Sequence, residues 1–210
     1  MKYTLCIMLL FIFNSCKEKE IKVPYYNSPD FTPIWKIKST QKKEMHQIGS
    51  FSFMNQYGEI VNNETVKNRI FIASFFFTAC PSVCPRMNKT LYTVYQHFKE
   101  NKDVLFLSHS VMPETDSVSR LFEYSKKMDV SSNQWNFLTG NKSDIYTIAR
   151  QSYFAEQEMG LSKDSTAFLH TENMILVDQD AHIRGIYNGT LAIEGIRMID
   201  DIEILLGERK

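Results

Sequence analysis

The stretch "RIFIASFFF" at residues 69–77 constrains the fold more than any other part of the chain. It is an unbroken apolar run, rich in β-branched and aromatic side chains, with no alternation of apolar and polar positions. Such a run suits a strand covered on both faces, because side chains pointing either way then meet a core. A second run, "DVLFLSHS" at residues 103–110, repeats the pattern. Between the two, Met87, Leu91, Val94, Tyr95 and Phe98 recur at helical spacing, so the connection is an amphipathic helix. Two doubly covered strands joined by a helix require layers on both sides of a sheet.

The remaining elements extend that pattern. "FSFMNQYGEIV" has two short alternating runs around Gln56-Tyr57-Gly58 and predicts a β-hairpin, and "NETVKN" a short helical turn. Leu121, Tyr124 and Met128 mark a second helix over 116–128. "QWNFLTG" is a short strand, 142–152 a third helix, and 157–167 a polar exposed loop. "HTENMILVDQDAHIRGIYNG" predicts two strands around a turn at Gln179-Asp180. Ile196, Ile199, Ile202, Leu205 and Leu206 mark the last helix. Strands alternating with helices make this an α/β fold.

The amino terminus is different in kind. Residues 3–13, "YTLCIMLLFIF", form an apolar run too short to span a bilayer comfortably but suited to a signal segment. With Lys2 before it and "NSC" after it, the segment resembles a bacterial lipoprotein signal. That resemblance implies a signal peptide over 1–15 and a lipid on Cys16, which anchors the protein to a membrane of the cell envelope, facing the periplasm or the outside. Phe13 stands where that pattern prefers a small aliphatic residue. Residues 16–45 are polar and carry Pro24, Pro29 and Pro33, as a tether does; the aromatics Tyr25, Tyr26, Phe31 and Trp35 imply that part of it packs on the domain of residues 46–210. The formal net charge is zero with no basic stripe, which argues against nucleic acid as a partner.

The cysteine count then narrows the chemistry. Cys6 lies in the expected signal segment and Cys16 is the expected lipid site, so of four cysteines only Cys80 and Cys84 are expected to remain in the folded domain. In an exported chain, two thiols this close form a disulfide or hold a metal. A helix running from about residue 81 places both sulfurs on one face, one turn apart, and its N-terminus favours thiolates. A thioredoxin-type dithiol has two intervening residues where this pair has three. A peroxiredoxin-type site wants a threonine three residues before its cysteine, whereas Thr78 is two before Cys80. Two thiolates and one imidazole suit Cu(I), while structural zinc wants four ligands.

Of the five histidines, His46, His97 and His182 read as surface or satisfied side chains. His109 follows the second buried strand and is a secondary candidate. His170 is the better one, because it directly precedes a strand whose leading loop, in a thioredoxin-like fold, lies over the cysteine turn.

Four segments carry a more specific resemblance: "FFFTACPSVCP" at 75–85, "HTENMILVD" at 170–178, "IGSFSFMNQYGEIVNNETVKNRIFIASFFF" at 48–77 and "SVMPETDSVSRLFEYSKKM" at 110–128. Together they resemble the Sco/SenC family of copper chaperones over roughly residues 46–206. The resemblance implies a thioredoxin-like sheet flanked by helices with an added N-terminal β-hairpin. It also implies copper, as Cu(I) or Cu(II), bound by Cys80, Cys84 and His170. The implied partner is the copper-site subunit of cytochrome c oxidase, whose binuclear centre is metallated or reduced. A thiol–disulfide oxidoreductase using Cys80 and Cys84, and a copper- or redox-sensing lipoprotein, are the alternative expectations. One departure stands out: Met112 occupies a position where the family often has an acidic residue, while Pro113, Glu114 and Asp116 keep the rest of that pattern.

Overall fold

The computed structural model describes residues 23–131, 133–155, 169 and 171–208. The signal segment, Cys16, the loop expected at 157–167 and His170 lie outside them. None of the described helices is long and apolar enough to cross a membrane.

The centre of the fold is β5 (Ile70–Phe76), every residue of which is buried. It pairs in parallel with β6 (Val104–Ser110) on one side and antiparallel with β8 (Asn173–Val177) on the other. Both edges of β5 are therefore used, and both faces are covered, which is what the unbroken apolar run requires. β7 (Trp135–Leu138) joins β6 in parallel, and β9 (Ile183–Asn188) pairs antiparallel with β8. β1 (Tyr25–Tyr26) and β2 (Pro33–Ile34) complete a seven-stranded sheet in the order β2-β1-β9-β8-β5-β6-β7. Part of the stretch read as a tether is thus hydrogen-bonded onto the sheet, as its aromatics led us to expect.

The β1 segment is held by one buried side chain. Arg184 donates to the Val23 and Pro24 carbonyls at 2.8 and 3.1 Å, to Asp178 at 3.0 Å, and to Glu208. Its guanidinium also lies 3.9 Å from the centre of the Tyr25 ring. The short helix α1 (Ser39–Lys42) follows β2.

One face of the sheet carries α3 (Val83–Phe98), α4 (Val118–Lys127) and α6 (Ala192–Gly207). α3 buries the expected stripe of Met87, Leu91, Val94, Tyr95 and Phe98. α6 closes on it through Gly195, where a Cβ would lie 2.9 Å from Thr90 Cγ2. α6 begins four residues before Ile196, and Ile196 is 55% exposed instead of joining the core. The buried stripe is Gly195, Met198, Ile202 and Leu205; of the expected set Ile202 and Leu205 lie on it, while Ile199 and Leu206 pack against it partly buried.

The other face carries α5 (Lys142–Thr147), which continues as a π-helical turn over Ile148–Ser152, and a separate two-stranded hairpin. The hairpin strands are β3 (Ser52–Met54) and β4 (Ile60–Asn62), followed by the single-turn helix α2 (Asn63–Val66). Gly58 adopts φ 77° in its turn, and Asn55 Oδ1 accepts from the Tyr57 and Glu59 N–H groups. Gln56 reaches across to the backbone of Trp135 and Phe137, covering part of the free edge of β7. This is the expected α/β arrangement: a thioredoxin-like sheet between helices, with an added hairpin.

Candidate metal and redox centre

The cysteine turn lies at the carboxyl end of β5, where ligands gather in open α/β folds. After Phe76 the chain turns: the Cys80 N–H donates to the Phe77 carbonyl at 3.2 Å. α3 then starts at Val83, two residues later than the sequence suggested. Ser82 has φ −136° and ψ −74°, outside the helical region, so Pro81 belongs to the turn and not to the helix. Pro85 takes the place near the helix start, where its missing N–H costs nothing. Cys80 is therefore outside the helix, and Cys84 is in its first turn.

That placement orients the two sulfurs toward each other. The first N–H groups of a helix have no partner within it, and Ser82 makes no side-chain cap. Cys80 Sγ takes that role, accepting from the Cys84 N–H at 3.5 Å. Burial works against a Cys80 thiolate, but the N–H groups of Cys84, Ser82 and Val83, together with the Cys84 thiol, outweigh it and lower its pKa. Cys84 is 6% exposed. Burial pushes its thiol up to about 12, and the Cys80 sulfur beside it adds to the rise. The pair is asymmetric: one accessible, acidic thiol over one buried, neutral thiol. Both cysteines are free.

The two cysteines are the expected sulfur ligands, and the turn brings them together. Among the described residues no third His, Cys, Asp or Glu completes a metal cluster with them. The expected third ligand, His170, lies outside the described residues. Its neighbours are informative, however. β8 runs antiparallel to β5 with Ala73 opposite Ile175, so the chain entering β8 approaches from the end of the sheet that carries the cysteine turn. The Glu172 carbonyl accepts from the Gly189 N–H at 2.8 Å. A Cβ on Gly189 would stand 2.4 Å from Met87 Cγ, and Met87 is three residues along α3 from Cys84. The segment after His170 is thus packed beside the first turns of α3.

His109 does not share this site. Its ring sits among Phe51, Phe53, Phe75 and Tyr153, on the hairpin side of the sheet, whereas Cys84 packs on the α3 side. It is fully buried, neither ring nitrogen has a hydrogen-bond partner, and burial lowers its pKa to about 3. His46, His97 and His182 are satisfied, as expected. His46 bonds to the Ser152 carbonyl at 2.7 Å, His97 to Glu203 at 3.0 Å, and His182 to the His46 carbonyl at 2.9 Å. Met112 packs against the hairpin-side core as a partly buried side chain.

Two polar groups around the turn were not read as functional from the sequence. Asp116, buried behind the cysteine loop, accepts from Thr78 and Ser110. In the sequence Thr78 marks only a departure from the peroxiredoxin-type pattern, and Asp116 only a kept position of the family pattern. The second group is Asn88, one helical turn after Cys84 on the buried stripe. Its Nδ2 donates to the Tyr124 hydroxyl at 2.6 Å, while its Oδ1 is buried without a partner. A polar residue on an otherwise apolar helical stripe was the available signal.

Two thiol sulfurs, one lowered in pKa and one raised, form a soft donor pair that fits Cu(I) better than a hard cation. The same asymmetry fits a nucleophilic and a resolving thiol. Comparison with known proteins bears on both. The family model described as SCO1/SenC matches residues 39–207. The SCO1 protein homolog of Bacillus subtilis is 32% identical over 146 residues, spanning 69% of this chain and 75% of the relative. The structure of BsSco, a member of the Sco family of cytochrome c oxidase assembly proteins with a disulfide switch, has a TM-score of 0.64 at 29% identity, covering 76% of this chain and 93% of that one. ScoI of Arabidopsis thaliana, solved with copper bound, has a TM-score of 0.58 at 27% identity, covering 74% of this chain and 97% of that one.

Proposed function

Because this chain belongs to the SCO1/SenC family, we propose that it is a copper-binding assembly factor of the cell envelope. It delivers copper to, or reduces, the binuclear copper site of cytochrome c oxidase, and the copper-site subunit of that enzyme is its partner. Copper is held by the thiolates of Cys80 and Cys84 and by an imidazole nitrogen of His170. The observation that carries this reading is the pair of convergent, unequal thiols at the end of the sheet from which the chain carrying His170 enters β8. Relatives described as binding copper and as assembling the oxidase support it.

The residues divide the work. Cys80, accessible and acidic, meets the incoming ion first. Cys84 gives up its proton only on binding, so uptake of copper releases a proton. Release runs in reverse, as donor atoms of the partner replace these ligands one at a time. A lipid on Cys16 keeps the domain at a membrane of the envelope. The test is metal binding by the purified protein: one copper per chain, lost in Cys80→Ser and in His170→Ala. A wild-type protein that takes up no copper sinks the proposal.

The thiol asymmetry also favours a second reading, thiol–disulfide exchange. The Cys80 thiolate attacks a partner's disulfide, one partner thiolate leaves, and a mixed disulfide forms. Cys84, losing its proton, then displaces the second partner sulfur. The partner gains two electrons and this chain ends as the Cys80–Cys84 disulfide. This reading needs both cysteines but not His170, so oxidase assembly that survives His170→Ala in the cell selects it. Deletion that leaves oxidase copper content normal selects a copper- or redox-sensing role instead.

A further inference from the structure

We propose that Asp116 is a positioning residue that holds the cysteine turn in its dithiol geometry, acting through Thr78. The purpose of that geometry rests on the copper-and-thiol reading above; the clamp itself does not. Asp116 is 1% exposed. A buried carboxylate is costly unless its oxygens are fully bonded. Here Oδ2 accepts from the Thr78 N–H at 3.1 Å and from the Ser110 hydroxyl at 2.6 Å, and Oδ1 accepts from the Thr78 hydroxyl at 2.6 Å. Arg120 closes the cluster from outside. Its Nε donates to Thr78 Oγ1 at 2.6 Å and stands 3.7 Å from Asp116 Oδ1.

Thr78 is thus fixed at both its main chain and its side chain. Its hydroxyl donates to Asp116 and accepts from Arg120, which leaves it no free rotation. It precedes Cys80 by two residues, and the start of α3 holds the chain on the other side of Cys80. The clamp is itself braced: the Met112 N–H donates to Ser110 Oγ at 3.1 Å, and the Asp116 N–H to the Met112 carbonyl at 2.9 Å. The end of β6 and the start of α4 therefore dictate where Cys80 sits.

The sulfurs are unbonded in this geometry. A disulfide fixes them about 2.05 Å apart with a set torsion, whereas in the dithiol the bonds made by Thr78 anchor the chain two residues before Cys80. A covalent bond holds the oxidised turn regardless of the clamp, whereas the dithiol turn depends on it. Asp116 and Thr78 consequently stabilise the dithiol, metal-ready state over the disulfide.

The test is the equilibrium with glutathione, in which Cys80 and Cys84 thiols plus one glutathione disulfide give the intramolecular disulfide plus two glutathione thiols. Thr78→Val keeps the shape and the N–H bond but deletes the hydroxyl. Asp116→Asn keeps the shape and deletes the charge. Both are expected to move the equilibrium at least tenfold toward the disulfide, about 30 mV for this two-electron couple. Thr78→Ser, which restores the hydroxyl, is expected to match wild type. Loss of Cu(I) to a competing chelator is expected to be several-fold faster in the first two variants. Should Asp116→Asn not fold, Thr78→Val decides alone. An equilibrium in Thr78→Val within threefold of wild type overturns the proposal, as does an equal shift in Thr78→Ser. A wild type that binds no copper defeats the copper reading but leaves this comparison decisive for the clamp.

Discussion

His109 offers the sharpest physical test of the fold. It is fully buried in a box of Phe51, Phe53, Phe75 and Tyr153, and neither ring nitrogen has a partner. A buried, unpaired polar group costs about 1–3 kcal/mol. Protonation makes it worse. Burial lowers the folded-state pKa to about 3, against 6.5 for a free histidine. Between those values the unfolded chain binds a proton at this residue and the folded chain does not. Stability therefore falls as pH drops below 6.5, by about 1.4 kcal/mol per unit. From pH 7 to pH 5 the loss from this one residue is about 2 kcal/mol, and it reaches about 4 kcal/mol near pH 3. His109→Phe removes both nitrogens and keeps the aromatic box. The assay is urea unfolding of the reduced, metal-free protein at pH 7 and pH 5, wild type beside variant. Other groups titrate alike in both, so the difference isolates His109. The variant is expected to lose about 2 kcal/mol less than wild type over that interval. Overpacking by the larger ring can lower its absolute stability by about 1–3 kcal/mol, so the decision rests on the pH difference. Equal losses in the two proteins refute the reasoning.

Three further predictions concern other parts of the molecule. Arg184→Met is expected to cost about 3–5 kcal/mol in chemical denaturation, because it leaves the buried Asp178 carboxylate without its cation and frees the Val23 and Pro24 carbonyls; a cost below about 1 kcal/mol, the value of a surface pair, contradicts it. Gly189→Ala is expected to destabilise by about 1–3 kcal/mol in the same assay, since its Cβ would meet Met87 Cγ and the Glu172 carbonyl beside the cysteine turn; unchanged stability counts against the packing described. Iodoacetamide at neutral pH, followed by peptide mass spectrometry, is expected to label Cys80 well before Cys84, because the first is lowered in pKa and accessible while the second is buried and held at about 12; labelling of Cys84 first overturns the assigned asymmetry.

Local periodicity made most of the fold legible. The runs at 69–77 and 103–110 became β5 and β6, and the spacing of Met87, Leu91, Val94, Tyr95 and Phe98 became the buried side of α3. A doubly buried strand or a one-sided helix writes its environment into its own residues. The last helix was less legible at its start. Ile196 looked like core and is exposed, because Gly195 beside it makes the close contact with Thr90. A glycine carries no hydrophobic signal; its value here comes entirely from the helix that approaches it.

The same division holds at the site. The sequence by itself determined that two thiols end the central strand of an α/β sheet, four residues apart, and the family resemblance added a histidine ahead of β8. Only the tertiary structure decided how those thiols differ, since the difference comes from burial of Cys84 and from N–H groups that the turn directs at Cys80. Only it removed His109 from the cysteine side, because alternation along a strand says that neighbours point opposite ways but not which face receives which helix. And only it brought Asp116 to Thr78, across 38 positions of chain. Spacing along the chain is a local property, whereas burial, desolvation and long-range hydrogen bonds belong to residues that meet only once the sheet has closed.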